Sequence, residues 1–163
     1  MYRSTPIGRP LQAALCASLL VFSGAPGSSA AAESKEQEPA LTHAAGDADL
    51  VWGPCPPFMP DGCGIAVLHG DPAKPGVDVF FKVPARTAIP RHRHTSAERM
   101  VLVAGEMEVT YDGQEPAVLK PGTYAFGPAQ RPHSGFCASA SPCVLFIAFG
   151  PPLDAVPLEP GAK

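Results

Sequence analysis

From Leu50 onward the chain alternates short apolar runs with glycines and prolines. Short apolar runs bounded by turn residues are typical of β-strands, and the chain's 21 prolines leave no helical period of useful length in this region. We therefore predict an all-β domain over residues 50–153. The predicted strands are Ile65–Leu68, Val77–Val83, Arg99–Ala104, Met107–Tyr111, Ala117–Leu119, Thr123–Phe126, His133–Cys137 and Val144–Phe149.

The connections between these runs carry ordinary turn signals. Asp112-Gly113 stands between two predicted strands and favours a tight hairpin turn. The segment from Asp71 to Gly76 holds two prolines and predicts a loop. Because the sequence has no internal repeat, we expect one barrel or sandwich in place of two.

One stretch, from Arg91 to Gly105, combines polar and apolar positions at a spacing of two. Side chains alternate faces along a strand, so every second residue here shares a face if the backbone stays extended through Thr95–Ala97. The residues on that shared face are His92, His94, Glu98, Met100 and Leu102. Val101 and Val103 would take the opposite face, which suits an inner strand of a two-layer barrel.

The segments outside the predicted β domain differ from it in composition. Residues 1–32 contain basic residues, then an apolar run over Leu11–Phe22, then small residues, which predicts a cleaved secretory signal peptide. A short buried helix or an uncleaved anchor is the alternative. Residues 33–49 are charged and alanine-rich and predict a flexible leader, and residues 154–163 a C-terminal tail. We expect a periplasmic or secreted protein.

Charge excludes some classes of partner. The formal net charge is −3, and removal of residues 1–32 takes away Arg3 and Arg9 and no acid, leaving 10 basic and 15 acidic side chains and a charge of −5. An acidic protein is not expected to bind nucleic acid or an anionic membrane surface. The partner that remains is a small-molecule substrate or ligand, and a homodimer through an exposed sheet edge is possible.

Export changes the interpretation of the four cysteines that follow the signal peptide, because oxidising compartments favour disulfides. Among three connectivities we favour Cys55 with Cys63 and Cys137 with Cys143, since each pair closes a short loop. Each bond is expected to stabilise the fold by about 2–3 kcal/mol. A zinc site made of all four is the alternative, although neither pair has the C-x2-C spacing usual for one.

The candidate chemistry lies in His92, His94 and Glu98, with His133 from a distant strand. Two imidazoles at alternate positions can bind one ion, and Glu98 adds an anionic oxygen. Three nitrogens and one oxygen suit a divalent transition metal, namely Fe, Mn, Ni, Cu or Zn, better than Ca or Mg. The alternative, that all four are solvated loop residues, leaves their spacing unexplained.

This spacing resembles the two motifs of the cupin superfamily. The first motif is HxH, three or four residues, glutamate, six residues and glycine, and the chain supplies His92, His94, Glu98 and Gly105. The second, G-x5-P-x-G-x2-H-x3-N, is met at its first glycine, its proline and its histidine, which are Gly122, Pro128 and His133. Three family positions differ. Arg86 replaces a glycine that the family has ahead of the first histidine, Gln130 replaces the inner glycine of the second motif, and Cys137 replaces its asparagine.

The resemblance implies a single barrel of double-stranded β-helix (jelly-roll) type with one metal inside it. It also implies a metal-dependent enzyme, such as a dioxygenase or isomerase acting on a small molecule, in which Glu98 serves as ligand and as catalytic general base. The alternatives are a non-catalytic binding or sensing module and a purely structural metal. A narrower resemblance, through Trp52–Pro54 and Leu68–Pro72, is to the cupin-like domain of a zinc-binding anti-sigma factor.

Two further groups of side chains surround the motif. Five arginines cluster around it in sequence and either steer an anionic substrate or solvate the outside of the barrel. These are Arg86, Arg91, Arg93, Arg99 and Arg131. Six larger side chains are candidates for a pocket wall or for ordinary core. They are Met100, Leu102, Met107, Val109, Tyr111 and Phe126.

Overall fold

The computed structural model describes residues 37–159. The predicted signal peptide, the start of the leader and the last four residues lie outside this range. Residues 37–39 have no regular structure, and Ala40 begins a compact unit that includes all the strands. The strands are β1 (Trp52–Pro54), β2 (Gly64–His69), β3 (Val77–Val83), β4 (Ala88–Arg93), β5 (Glu98–Ala104), β6 (Met107–Tyr111), β7 (Ala117–Leu119), β8 (Tyr124–Gly127), β9 (His133–Cys137), β10 (Cys143–Phe149) and β11 (Val156–Pro157).

The strands form two antiparallel sheets. One has the order β1-β2-β3-β10-β5-β8 and the other the order β11-β4-β9-β6-β7. Because consecutive strands repeatedly change sheet, the chain winds between the two layers as a jelly roll does. The predicted all-β jelly-roll class is confirmed. Between residues 37 and 159, no helix has the length and apolar character needed to cross a membrane.

All eight predicted strands are present, and three others are not in the prediction. β1 contains glycine and proline, β4 is interrupted by Pro90, and β11 is only two residues long, so none of them has a clear apolar run. β11 pairs with β4 at Arg93 and His92, and residues of the predicted C-terminal tail therefore complete the second sheet.

The extended backbone through Thr95–Ala97, on which the shared face of one strand depended, is not found, since residues 94–97 belong to no strand. His92 lies on β4 in one sheet, and Glu98 begins β5 in the other. Residues 94–97 carry the chain across from one layer to the other. The alternation of faces nevertheless persists through the crossing, since His92, His94, Ser96 and Glu98 are all buried.

The hydrophobic core fills the space between the sheets, because each sheet turns its apolar face inward. Its contributions come from both layers, with Val79, Leu102 and Leu145 from the first and Met107 and Val109 from the second. A smaller cluster lies around Ala66, Phe80 and Val144 on the first sheet. Ala45 and Leu50, at the boundary of the predicted leader, pack against this smaller cluster.

Two disulfides link the cysteines in the favoured pairing, Cys55 with Cys63 and Cys137 with Cys143. The first closes the loop between β1 and β2. The second joins the end of β9 to the start of β10 and so ties the two sheets together. This pairing excludes a zinc site made of the four thiolates.

Candidate metal centre

Three histidines meet between the sheets, although His133 is distant in sequence from His92 and His94. His92 is near the end of β4 and pairs across the sheet with His133, the first residue of β9. His94 follows β4, where the chain leaves that sheet. All three side chains are buried, and one ring nitrogen from each lies within 4.8 Å of the other two. The sequence-predicted histidines are therefore brought together at one point.

Hydrogen bonds to main-chain carbonyls fix the orientation of each ring. The Nδ1 atoms of His92 and His133 donate to the carbonyl oxygens of Pro90 (2.7 Å) and Arg131 (3.2 Å), and Nδ1 of His94 donates to the carbonyl oxygen of Asp154. A carbonyl oxygen can only accept, so Nδ1 carries the proton in all three rings. In a neutral ring this leaves the Nε2 lone pair for a metal ion, which is the tautomer that metal-binding histidines adopt.

Glu98 reaches the same point from the opposite sheet. Its two carboxylate oxygens lie 3.5 Å from Nε2 of His94 and 3.4 Å from Nε2 of His133. The Tyr111 hydroxyl donates a 3.0 Å hydrogen bond to Oε1 of Glu98. The fourth sequence-predicted residue thus adjoins two of the three histidines, and Tyr111 holds it in place.

Burial shifts the proton affinities of these groups toward their neutral forms. Desolvation lowers the pKa of His92 to about 4, and desolvation together with the neighbouring His92 lowers that of His133 to about 3. Desolvation also raises the pKa of the Glu98 carboxyl, against the opposing effect of His94. At neutral pH the imidazoles of His92 and His133 are therefore uncharged and can donate to a cation.

This donor set fits a metal ion. Three imidazole nitrogens with fixed tautomers converge beside one carboxylate, which is a donor set that divalent transition metals accept. The cluster of His92, His94 and His133 could hold one ion, with Glu98 within reach as a further ligand.

The C-terminal segment supports the crossing residues that carry His94. The Asp154 carboxylate accepts hydrogen bonds from the main-chain nitrogen (2.8 Å) and the hydroxyl (2.5 Å) of Thr95. The Ser96 hydroxyl lies 2.8 Å from the carbonyl oxygen of Gly150 and 3.2 Å from that of Pro152. A segment predicted to be a tail therefore positions one of the histidines.

A cavity of about 220 Å³ opens beside the histidines. Three of the six predicted wall residues, Met100, Met107 and Val109, line it. Leu102 and Tyr111 belong to the buried core. The prediction for Phe126 is wrong, because this outward-facing residue of β8 is 53% exposed.

Two arginines near the motif, Arg91 and Arg131, bind Asp112 and do not line the cavity. Arg91 binds the Asp112 carboxylate through Nε (3.2 Å) and through Nη2, and Arg131 donates to the main-chain oxygen of Asp112 at 3.0 Å. No arginine or lysine is found among the described residues that line the cavity. The structure therefore gives no support to the interpretation in which these arginines steer an anionic substrate within the cavity.

Comparison with protein families identifies the barrel. Residues 79–149 match the family model described as the cupin domain, and this range contains all four candidate ligands. The chain carries a cupin domain. The two departures from the family's glycines fit this assignment, since Arg86 and Gln130 both adopt the left-handed backbone conformation that favours glycine, with φ of 55° and 62°.

Solved structures of low sequence identity share the cupin fold. The DMSP lyase DddQ from Ruegeria pomeroyi DSS-3 is 21% identical with a TM-score of 0.59, over 70% of this chain and 64% of that chain, so the match spans slightly less than two thirds of DddQ. The polyketide cyclase RemF from Streptomyces resistomycificus is 18% identical with a TM-score of 0.59, over 74% of this chain and 88% of RemF.

The protein TT1209 from Thermus thermophilus is 27% identical with a TM-score of 0.50, over 58% of this chain and 89% of TT1209. Comparison with curated protein sequences gives no match. The narrower resemblance to an anti-sigma factor stays a prediction.

Sequence reasoning missed the roles of Tyr111, Asp154 and Gly127 in the cupin domain. A Cβ atom on Gly127 would overlap both the Tyr111 hydroxyl and the Glu98 carboxylate, so the absence of a side chain there makes room for this pair. The inward parity of Tyr111 on β6 was a usable signal, because a buried tyrosine hydroxyl needs a hydrogen-bond partner. Asp154 lies about 60 residues from its partners His94 and Thr95 in sequence, and no local sequence pattern predicts these hydrogen bonds.

Proposed function

We propose that this cupin domain is a metal-dependent enzyme that acts on a small molecule. One divalent transition metal would be held by His92, His94 and His133, with Glu98 as a further ligand or as the general base. The observation that carries the proposal is the convergence of three histidine ring nitrogens beside a buried carboxylate in the lining of an apolar cavity. Among the candidate metals, Fe, Mn, Ni, Cu and Zn all accept imidazole and carboxylate ligands.

The bound metal would act as a Lewis acid that polarises an oxygen of the substrate, or as a redox centre. Of the two reaction classes that the motif suggests, proton transfer of the isomerase type has support from Glu98. This carboxylate is buried, its pKa is raised by desolvation, and Tyr111 binds only one of its oxygens. The other oxygen could accept a proton from a substrate carbon atom adjacent to the group that the metal would polarise. The reaction named for DddQ, that of a lyase, gives only the support of a shared fold.

Hydrogen exchange tests this assignment without knowledge of the natural substrate. Metal-loaded protein is incubated in D2O with a panel of small carbonyl compounds, and loss of the α-hydrogen signals is followed by NMR. We expect exchange with at least one compound and none with Glu98→Gln or His94→Ala. Exchange that is absent in the wild type, or equal in Glu98→Gln, would contradict the proposal. Oxygen consumption on the same panel would move the assignment to a dioxygenase.

A non-catalytic binding or sensing module is the second candidate, and one observation favours it. Outside the metal cluster, Asp154 is the only carboxylate among the described residues that line the cavity, and both its oxygens already accept hydrogen bonds from Thr95. The cavity lining described here thus offers no second free acid or base. Saturable ligand binding with neither exchange nor oxygen uptake would support this candidate over the enzyme.

We also propose that the protein is exported, with residues 1–32 as a cleaved signal peptide. The two disulfides support this proposal, because disulfides persist mainly in oxidising compartments. Expression of the full chain in a bacterium, followed by fractionation and intact-mass measurement, tests it. A periplasmic product that begins near residue 33 is expected, and a cytoplasmic product of full mass would contradict the proposal.

A further inference from the structure

The cavity beside the metal centre has an almost entirely apolar wall. Beyond the histidines and Glu98, most of its lining consists of aliphatic, aromatic and methionine side chains from both sheets. Among these are Val79, Phe81, Ile89, Met100, Leu145 and Ile147. The lining therefore consists of one polar group, the histidines with Glu98, and a remainder that is mainly hydrocarbon.

The lining has few other polar groups that could pair with a charged substrate, and none of them is cationic. Asp154 is held by Thr95 and would in any case repel an anion. Ser134 can offer one hydroxyl, and no lysine or arginine is among the described lining residues. A carboxylate or phosphate placed against this wall would lose its hydration without gaining a partner, which is costly. Sugar phosphates and dicarboxylic acids are poor candidates on this ground.

The charge of the donor set specifies the polar end of the ligand. Three neutral imidazoles and one carboxylate leave a divalent ion with one uncompensated positive charge. Beside an apolar wall, which screens charge poorly, a single anionic oxygen donor balances that charge best. The favoured head group is therefore a monoanion such as a carboxylate or a phenolate.

The size of the cavity limits the rest of the ligand. An apolar cavity of about 150 Å³ accommodates benzene. The cavity of about 220 Å³ therefore accommodates a ring with a short substituent. The walls offer aromatic and methionine neighbours for such a ring, since Phe81, Phe149 and Met100 all line the space.

We propose that the site takes a compact apolar molecule with a single anionic oxygen head group, of which an aromatic monoacid or a phenol is the model. The head group lies at the histidine cluster and the hydrocarbon body lies against the walls supplied by the two sheets. This inference rests on the proposed function only in requiring a bound metal, and it does not require turnover.

Calorimetric titration of the zinc-loaded protein with a matched series of compounds tests the inference. Zinc content is first verified at one per chain. Benzoate is then compared with acetate, which lacks the ring, with benzyl alcohol, which lacks the charge, and with terephthalate, which adds a second carboxylate. We expect benzoate to bind at least about 10-fold more tightly than each of the other three. Equal or tighter binding of acetate or terephthalate would overturn the inference.

A pair of variants places the binding in this cavity. Met59, a half-buried residue of the Cys55–Cys63 loop, lines it, whereas Val118 on β7 is 52% exposed and does not. Met59→Glu should weaken benzoate binding at least about 10-fold, because the carboxylate of the introduced glutamate would repel the benzoate anion. Val118→Glu should leave it unchanged. Equal affinities in the two variants would contradict binding in this cavity.

The outcomes separate this inference from the proposed function. A protein that does not load with zinc or any other candidate metal contradicts both. A loaded protein that binds no benzoate contradicts only the inference about the ligand. Benzoate binding without exchange or oxygen uptake on any compound contradicts only catalysis. If Met59→Glu fails to fold, the compound series on the wild type still decides the inference.

Discussion

The Tyr111 hydroxyl donates a 3.0 Å hydrogen bond to Oε1 of Glu98, and both side chains are buried. Tyr111 belongs to β6 in one sheet and Glu98 to β5 in the other. The bond therefore joins the two layers beside the histidine cluster. It also fixes the rotation of the carboxylate, so that one oxygen remains directed at Nε2 of His94.

Removal of this bond should weaken metal binding without unfolding the protein. Replacement of a partner that orients a metal ligand typically costs about 10–100-fold in metal affinity or activity, and we expect a loss in this range for Tyr111→Phe. Competition with a chelator of known affinity measures it. Tyr124→Phe is the matched control, because Tyr124 is 60% exposed on β8. Equal affinities in the two variants would refute the orienting role.

Gly127 should tolerate no side chain, for a related reason. The Cβ of an alanine there would overlap the Tyr111 hydroxyl and the Glu98 carboxylate. Forcing an extra methyl into a packed interior costs about 1–3 kcal/mol, and Gly127→Ala should lose that much unfolding free energy together with metal affinity. Gly46→Ala serves as control, since nothing lies within 4 Å of its Cβ position. Denaturant titration compares the two, and an unchanged midpoint for Gly127→Ala would argue against this packing.

Replacement of Arg86 by the glycine that the cupin motif has at this position should stabilise the fold. A non-glycine residue in the left-handed conformation costs about 1–2 kcal/mol, partly offset by the greater chain entropy of glycine when unfolded. Arg86→Gly should therefore raise the unfolding free energy by about 0.5–1 kcal/mol, while Arg86→Ala, which keeps the strain, should not. Chemical denaturation followed by tryptophan fluorescence measures both. A loss of stability in Arg86→Gly would show that the arginine side chain makes a larger contribution than the backbone.

The sequence predicted most of the fold and the four candidate ligands because both depend on short-range patterns. Apolar runs between turn residues locate eight strands, and the spacing of His92, His94 and Glu98 from Pro128 and His133 locates the motif. The sequence does not predict β4, because Pro90 and the arginines that flank His92 interrupt the apolar pattern of this segment. The crossing between sheets at residues 94–97 preserves alternation and so looks like one continuous strand in sequence. The support from Asp154 arises only when distant segments meet.

The stability of the metal-free protein should fall as the pH is lowered. Burial lowers the pKa of His92 to about 4 and that of His133 to about 3, from an ordinary 6.5. Below pH 6.5 these histidines therefore become protonated in the unfolded chain but not in the folded protein. This lowers the free energy of unfolding by about 1–2 kcal/mol per histidine at pH 5. The raised pKa of Glu98 acts in the opposite direction, because the folded protein takes up that proton first.

Denaturant titrations of the metal-free wild type and of Glu98→Gln at pH 7 and pH 5 check this balance. The wild type should lose stability over this interval, and Glu98→Gln, which lacks the opposing proton uptake, should lose more. A wild-type protein that is more stable at pH 5 than at pH 7 would contradict the assignment of neutral, buried histidines.

Metal content tests the central claim most directly. The protein is purified without chelators or a histidine tag, and its metals are quantified by mass spectrometry alongside His94→Ala, His133→Ala and His43→Ala, the last of which alters an exposed histidine far from the motif in sequence. The account predicts one transition metal per chain in the wild type and in His43→Ala, and less than about one tenth of that in the other two. A wild-type protein that binds no metal even after incubation with each candidate ion, or full occupancy in His94→Ala and His133→Ala, would contradict it.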